Sequence, residues 1–337
     1  MLQGHGDDTY LYPAIKSNFS SNIYPHADLT ALKAHLRERM DLIDHYPEPE
    51  PLSLERVIAR KHGISVDNVL VTNGATDAIY LIALTAAKNK YKYFSVGPLP
   101  TFSEYEDACL SAGLTPQDGG GKKKPDHTVL WLCNPNNPTG DVYTQEELGH
   151  FAEPYDWVVI DQSYEDYTLA PMMSHQEAAA SKNIVQLHSL TKTHAIPGLR
   201  IGYVIAPQPI INMLRENNRP WAVNALAAEA GKWLLENNVS VIQDLHAYLA
   251  ETQRLRTLLN QIEGITAAET QTNFMLVEMA AKTAVELKDY LARKHHILIR
   301  DASNFRGLSP HHFRISTQTP DENDLLVNAI RDFMIQR

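Results

Sequence analysis

Two short runs in this chain, TVLWLC (128–133) and WVVID (157–161), are apolar almost without interruption. A strand with one wet face alternates apolar and polar residues, and a strand covered on both faces does not. These runs therefore call for a sheet with helices on either side. VLVTN (69–73), KYFSV (92–96), IVQLHS (184–189) and LRIGYVIA (199–206) read as further strands of it. Helical patterns alternate with them: GATDAIYLIALTAAKN, EYEDACLSAG and TQEELGHFAE, the last opened by Thr144 and Glu147 at capping-box spacing. This rhythm predicts an α/β fold, with a three-layer α/β/α large domain around a mostly parallel sheet.

From about Asn224 the rhythm changes. VNALAAEAGKWLLEN and SVIQDLHAYLAETQRLRTLLNQI read as helices, followed by NFMLVEM, the helix TAVELKDYLARKH, the strands ILIRDA and HFRIST, and a last helix opened by Thr319 and Pro320. The expectation is a smaller α+β domain. The large domain is taken as 36–223, and the smaller one as 224–337 joined by an N-terminal arm, 1–35.

A net charge of -10 argues against nonspecific nucleic-acid binding. No apolar run reaches the roughly 18 residues of a membrane span, and the start has no signal-peptide pattern. Two cysteines, Cys109 and Cys133, make no disulfide framework and suit the cytoplasm. DGGGKKKP (118–125) lacks the spacing of a phosphate loop and reads as a solvated loop. The adjacent pairs His295–His296 and His311–His312 point apart in a strand, so no metal is expected there.

Four segments lie where strands of the large sheet end, the usual ligand crevice of an open α/β sheet. NGATD (73–77) opens a helix after a strand. Gly74 allows close approach, and the free N–H groups of Ala75 and Thr76, with the Thr76 hydroxyl, suit a phosphate. CNPNNPTG (133–140) continues from a strand into a stiff turn, NPNNPTG, presenting asparagines. Asp161 ends an apolar strand, where a carboxylate needs a cationic partner, and Tyr164 follows three residues on. Lys192 follows a buried-type strand beside Ser189, Thr191 and Arg200; an amine partly desolvated near other cations loses its proton readily. An ordinary cap, turn or surface role explains each segment alone. Together they offer a phosphate cradle, a carboxylate for a ring nitrogen, donors for a ring oxygen and an amine for an aldehyde. Those are the requirements of pyridoxal 5'-phosphate.

The ordered set Asn-Pro-Thr-Gly, Asp-x-x-Tyr, Ser-x-x-Lys and Lys-x7-Arg resembles the fold-type I pyridoxal-phosphate enzymes of the class I/II aminotransferase superfamily. The resemblance implies that Lys192 joins the cofactor aldehyde, that Asp161 pairs with the ring nitrogen, and that Asn137 and Tyr164 bond the ring oxygen. Phe102 then stacks on the ring, while Ala75, Thr76, Ser189 and Arg200 hold the phosphate. Tyr46, in HYPEPEP, reaches the phosphate of a neighbouring subunit, which implies a homodimer. Arg314 grips the substrate carboxylate. Arg300 meets a substrate phosphate, with His5 and Asn18 as weaker candidates for the same pocket. Gln162 stands where the family commonly has an acid, and Asp7 and Asp8 follow His5–Gly6 where a second glycine is usual.

Two subgroups are most similar, the L-threonine-O-3-phosphate decarboxylases of cobalamin biosynthesis and the histidinol-phosphate aminotransferases. NFSSNIYP, PTFSEYEDA, RPWAVNALA and ILIRDASNFRGL favour the first. The resemblance thus implies decarboxylation of threonine phosphate to (R)-1-amino-2-propanol O-2-phosphate, with the aminotransferase as alternative. A non-catalytic ligand-binding protein is the reading from another class; the full set of candidate catalytic residues argues against it.

Overall fold

The computed structural model describes residues 7–12, 14–117, 127–153 and 155–335. Thirteen strands are described, numbered along the chain. β1 (Ser17–Asn18) lies on the arm. The next seven are β2 (Val69–Thr72), β3 (Tyr93–Val96), β4 (Thr115–Pro116), β5 (Thr128–Cys133), β6 (Trp157–Asp161), β7 (Ile184–His188) and β8 (Gly202–Ile205). The last five are β9 (Ile265–Ala267), β10 (Phe274–Met279), β11 (Ile297–Leu298), β12 (Arg300–Asp301) and β13 (His312–Ser316).

One sheet has seven strands in the order β2-β8-β7-β6-β5-β3-β4. β8 runs antiparallel to both neighbours, and the pairs from β7 to β4 are parallel. The continuous apolar runs divide by parity. Val129, Trp131, Cys133 and Val159 enter one core with the helices Ala75–Lys88 and Gln208–Asn217. Leu130, Leu132, Val158 and Ile160 face the other way, against Leu148 of the helix Gln145–Ala152. Both faces are covered, which is why no polar residue interrupts these strands. The Thr144–Glu147 capping box forms in both directions.

A second sheet, antiparallel in the order β12-β13-β10-β9, has its own core of Met275, Val277, Phe313 and Ile315 under the helices Leu245–Leu259 and Pro320–Ile335. Three details differ from the sequence expectation. ILIRDA is not one strand: β11 pairs parallel with β1 of the arm, while β12 pairs with β13. The helix expected from Ser240 begins at Leu245, because the Asp244 carboxylate accepts from Ala247 N at 2.9 Å and caps it there. The helix Ala225–Glu236, grouped by sequence with the C-terminal unit, buries Ala227, Ala230 and Leu234 against Val69, Val71 and Ile205 of the large sheet.

Candidate active site

At the carboxyl ends of β2, β5, β6 and β7 lies a cavity of about 300 Å³. Its lining includes Ala75, Thr76, Phe102, Asn137, Asp161 and Tyr164. Ser189, Thr191, Lys192, Arg200, Arg300 and Arg314 complete the sequence candidates that it brings together. Gly74 stands just behind. Its φ of +86° and the lack of a side chain let Arg200 come close; a Cβ there would meet Arg200 Nη2 at 2.8 Å. Three candidates lie elsewhere or beyond description. Asn18 holds the arm, its Oδ1 accepting from Ser20 N at 3.0 Å and Ser21 N at 3.2 Å. Tyr46 is 87% exposed, its ring 5.5 Å from that of Trp221. His5 lies outside the described residues, as does the 118–125 loop.

Asp161 is buried at the end of β6, yet its charge is met. Oδ1 accepts from Ser163 N at 2.9 Å and Oδ2 from the Tyr105 hydroxyl at 2.7 Å. Burial raises Tyr105 well above the usual phenol range, so that hydroxyl keeps its proton and donates. Asn137 reaches the cavity because Asn134 and Asn136 hold the loop for it. Asn134 bonds Tyr143 twice, and Asn136 donates to Pro100 O at 2.9 Å. Gly140 lets this loop rest on the second sheet, since a Cβ there would fall within 3 Å of Thr272 Oγ1 and Phe274 O.

Lys192 sits on the short helix Leu190–Thr193, its amine 5.7 Å from the centre of the Tyr164 ring. Burial, then the neighbouring guanidinium groups of Arg314 and Arg200, push this amine down to about 8. Burial also holds the Tyr164 phenol up at about 12. The Thr191 hydroxyl is engaged with the backbone of Ile201 and ties the lysine's helix to the chain entering β8. Gly74 caps the helix Ala75–Lys88 without a side-chain bond, which leaves first-turn N–H groups facing the cavity.

Arg300 and Arg314 stand opposite each other across β12 and β13. Arg300 donates to Asp301 O at 2.6 Å and Asn304 Oδ1 at 2.9 Å. Arg314 donates to Asn137 Oδ1 and, at 2.7 Å, to Ser20 O. Its Nε is buried without a hydrogen-bond partner among the described residues. Burial lowers Arg314 to about 10 and moves Arg300 in the same direction. Two adjacent, partly desolvated guanidinium groups suit a ligand with two anionic groups.

Sequence reasoning missed Asp7, Ser20, Asn22, Tyr105 and Phe305, all of which line the cavity. Tyr105 carries no motif and sits on the helix Glu104–Ser111. Asn22 and Ser20 arrive because β1 returns the arm to β11, a pairing without a motif. The donor set fits pyridoxal phosphate: a hydrogen-bonded carboxylate, a deprotonatable amine, open helix N–H groups and three arginines share one cavity.

The chain matches the family Aminotransferase class I and II over residues 14–330. It is 28% identical to the threonine-phosphate decarboxylase of Salmonella typhimurium over 94% of this chain and 91% of that protein. It is 28% identical to a histidinol-phosphate aminotransferase of Caldanaerobacter subterraneus over 87% of this chain and 85% of that protein. Among solved structures, the L-threonine-O-3-phosphate decarboxylase of Porphyromonas gingivalis superposes with a TM-score of 0.89 at 33% identity, covering 95% of this chain and all of that one.

Proposed function

The chain belongs to the aminotransferase class I and II family, and from that premise we propose that it is a pyridoxal-phosphate enzyme that decarboxylates L-threonine O-3-phosphate to (R)-1-amino-2-propanol O-2-phosphate. The observation that carries this reading is the end-to-end likeness to threonine-phosphate decarboxylases in sequence and structure, joined to the facing arginines. Bound pyridoxal phosphate supplies an aldehyde for amines and a ring that accepts the electron pair of a breaking Cα bond.

Asp161 would meet the ring nitrogen, Asn137 and Tyr164 the ring oxygen, and Phe102 the ring face. Ala75, Thr76, Ser189 and Arg200 would hold the cofactor phosphate. Lys192, with its amine at about 8, keeps a useful neutral fraction near pH 7 and can attack an aldehyde. Arg314 takes the substrate carboxylate and Arg300 its phosphate, leaving the amine to face Lys192. When CO2 departs, a proton from Lys192 fills the vacated position at Cα. We also propose a homodimer in which Tyr46 completes the neighbouring site. Two buried free cysteines suit a cytoplasmic enzyme, and no described helix is long and apolar enough to cross a membrane.

The test is incubation of holoenzyme with threonine phosphate and no keto acid. CO2 and the phosphorylated amino alcohol are expected, with Arg300→Ala raising KM roughly 100-fold through loss of a charge-assisted contact. Glutamate-dependent turnover of histidinol phosphate without CO2 release would replace this reading with the aminotransferase.

A further inference from the structure

A second cavity, of about 490 Å³, lies against the segment that carries Lys192. Leu190, Thr193 and His194 of that segment line it, facing His62, Glu165 and His175. No role in the proposed reaction falls to this group. We propose that Glu165, His175 and His188 bind a divalent transition-metal ion, zinc by preference, at a site separate from the cofactor.

One ligand-type atom from each of the three residues falls within 4.8 Å of the others. The bonding around two of them is already that of metal ligands. His188 Nε2 lies 3.3 Å from Gln186 Oε1, a contact made by the tautomer protonated at Nε2. His188 Nδ1 is then a lone pair, and it faces Glu165 Oε1 at 2.8 Å. Two acceptors at that distance need a positive charge between them, either a proton or a metal ion. The second Glu165 oxygen accepts from Gln162 Nε2 at 3.2 Å. Both ligands therefore have an outer hydrogen bond that fixes their orientation, the usual arrangement around a metal. Gln162 is also the residue that replaces the family's common acid, so this bond belongs to this chain's own departure.

The third ligand is His175. Its Nε2 is buried and has no hydrogen-bond partner among the described residues. The residue opens the helix His175–Ala180, anchored by a capping box between Ser174 and Glu177. Its ring stacks between those of His62, at 3.7 Å, and His188, at 4.6 Å. Nitrogen lone pairs lie in the ring plane, so coordination requires His175 to tilt out of this stack. No bond to its Nε2 resists that tilt. Two imidazoles and one carboxylate favour zinc over magnesium or calcium, and the cavity gives room for water as a fourth ligand. Glu165 follows Tyr164 and His188 precedes Ser189, so a bound ion would tie together two cofactor-bearing segments.

The experiment titrates chelator-treated holoenzyme with zinc by calorimetry and with cobalt by visible absorption. One ion per chain is expected, with a four-coordinate cobalt spectrum and a rise in melting temperature on adding zinc. His175→Gln and Glu165→Gln each weaken binding by roughly 100-fold or more and abolish that spectrum. The metal-free melting temperature of the Glu165→Gln protein, which keeps the side-chain shape, shows that the fold survives. Replacing the exposed His45, His150 and His246 by Asn changes nothing. Binding that survives His175→Gln, or that disappears with the exposed histidines, overturns the proposal. So does anomalous scattering from zinc-grown crystals that places no ion among these three residues.

Discussion

The Tyr105 hydroxyl decides how Asp161 is presented. It is one of two donors on that carboxylate, at 2.7 Å, and its ring stacks on Trp131 with centroids 5.3 Å apart. Full burial raises the phenol well above its ordinary range, so it acts as a fixed donor and not as a proton source. A hydrogen bond to a charged group contributes about 1.5–3 kcal/mol, and the carboxylate that loses it is freer to swing from the ring nitrogen. Tyr105→Phe keeps the ring and its packing. Its expected outcome is a melting temperature near that of the parent, pyridoxal-phosphate affinity lowered by roughly 10-fold, and kcat lowered with little change in KM. An unchanged cofactor affinity would show that Ser163 N alone positions Asp161. In the sequence, Asp161 was legible because an acid at the end of an apolar strand is conspicuous. Tyr105 was not, since three residues beyond Phe102 it looks like any aromatic on the buried face of a helix.

At the scale of elements, the strands of the large sheet were legible because burial on both faces writes itself as uninterrupted apolar sequence. The split of ILIRDA was not, because β11 and β12 take different partners without any break in composition. Nor did any motif announce the stack of His62, His175, His188 and Tyr203, which come from four elements. That stack has a consequence for stability. Burial lowers His62 and His194 to about 4 and His175 to about 3, against an ordinary 6.5. Between those values and pH 6.5 the unfolded chain takes up protons that the folded chain refuses, so stability falls as pH falls. His188, lowered to about 4, behaves likewise, while Glu165, raised to about 7 by burial, takes up a proton only in the folded chain. Those two offset each other over this window. The charged groups facing them work in opposite senses: burial raises Asp166, which opposes the histidines, while Lys61 helps to keep His62 and His194 neutral. Three imidazoles therefore outweigh one carboxylate. The melting temperature of metal-free protein should drop by several degrees from pH 7 to pH 5. A flat or rising profile over that interval would mean that the stack is not buried in its neutral form.

For the molecule as a whole, the cavity draws on both sheets and on the arm. The large sheet supplies Asp161, the short helix after β7 supplies Lys192, the small sheet supplies Arg300 and Arg314, and the arm adds Ser20 and Asn22. Tyr46 is a candidate that the single chain leaves stranded at the surface. It is 87% exposed, does not line the cavity, and sets its ring 5.5 Å from that of the half-exposed Trp221, whose backbone N–H donates to Pro49 O at 2.9 Å. Met40, Ile43 and Leu52 expose further apolar surface on the same stretch of chain. Such a run of exposed apolar side chains is more than scattered surface residues and suits burial by another protein surface. If that surface is a second copy with two-fold symmetry, each Tyr46 is carried to the other subunit's site and both sites are completed together. Light scattering should then give the mass of two chains. Tyr46→Phe should leave that mass intact while weakening pyridoxal-phosphate binding by roughly 10-fold, the worth of one hydrogen bond to a charged phosphate. Trp221→Asp, which places a charge in the contact, should yield monomers with weakened cofactor binding. A wild-type protein that is monomeric at assay concentration and fully active would remove Tyr46 from the site and leave the exposed stretch to some other contact.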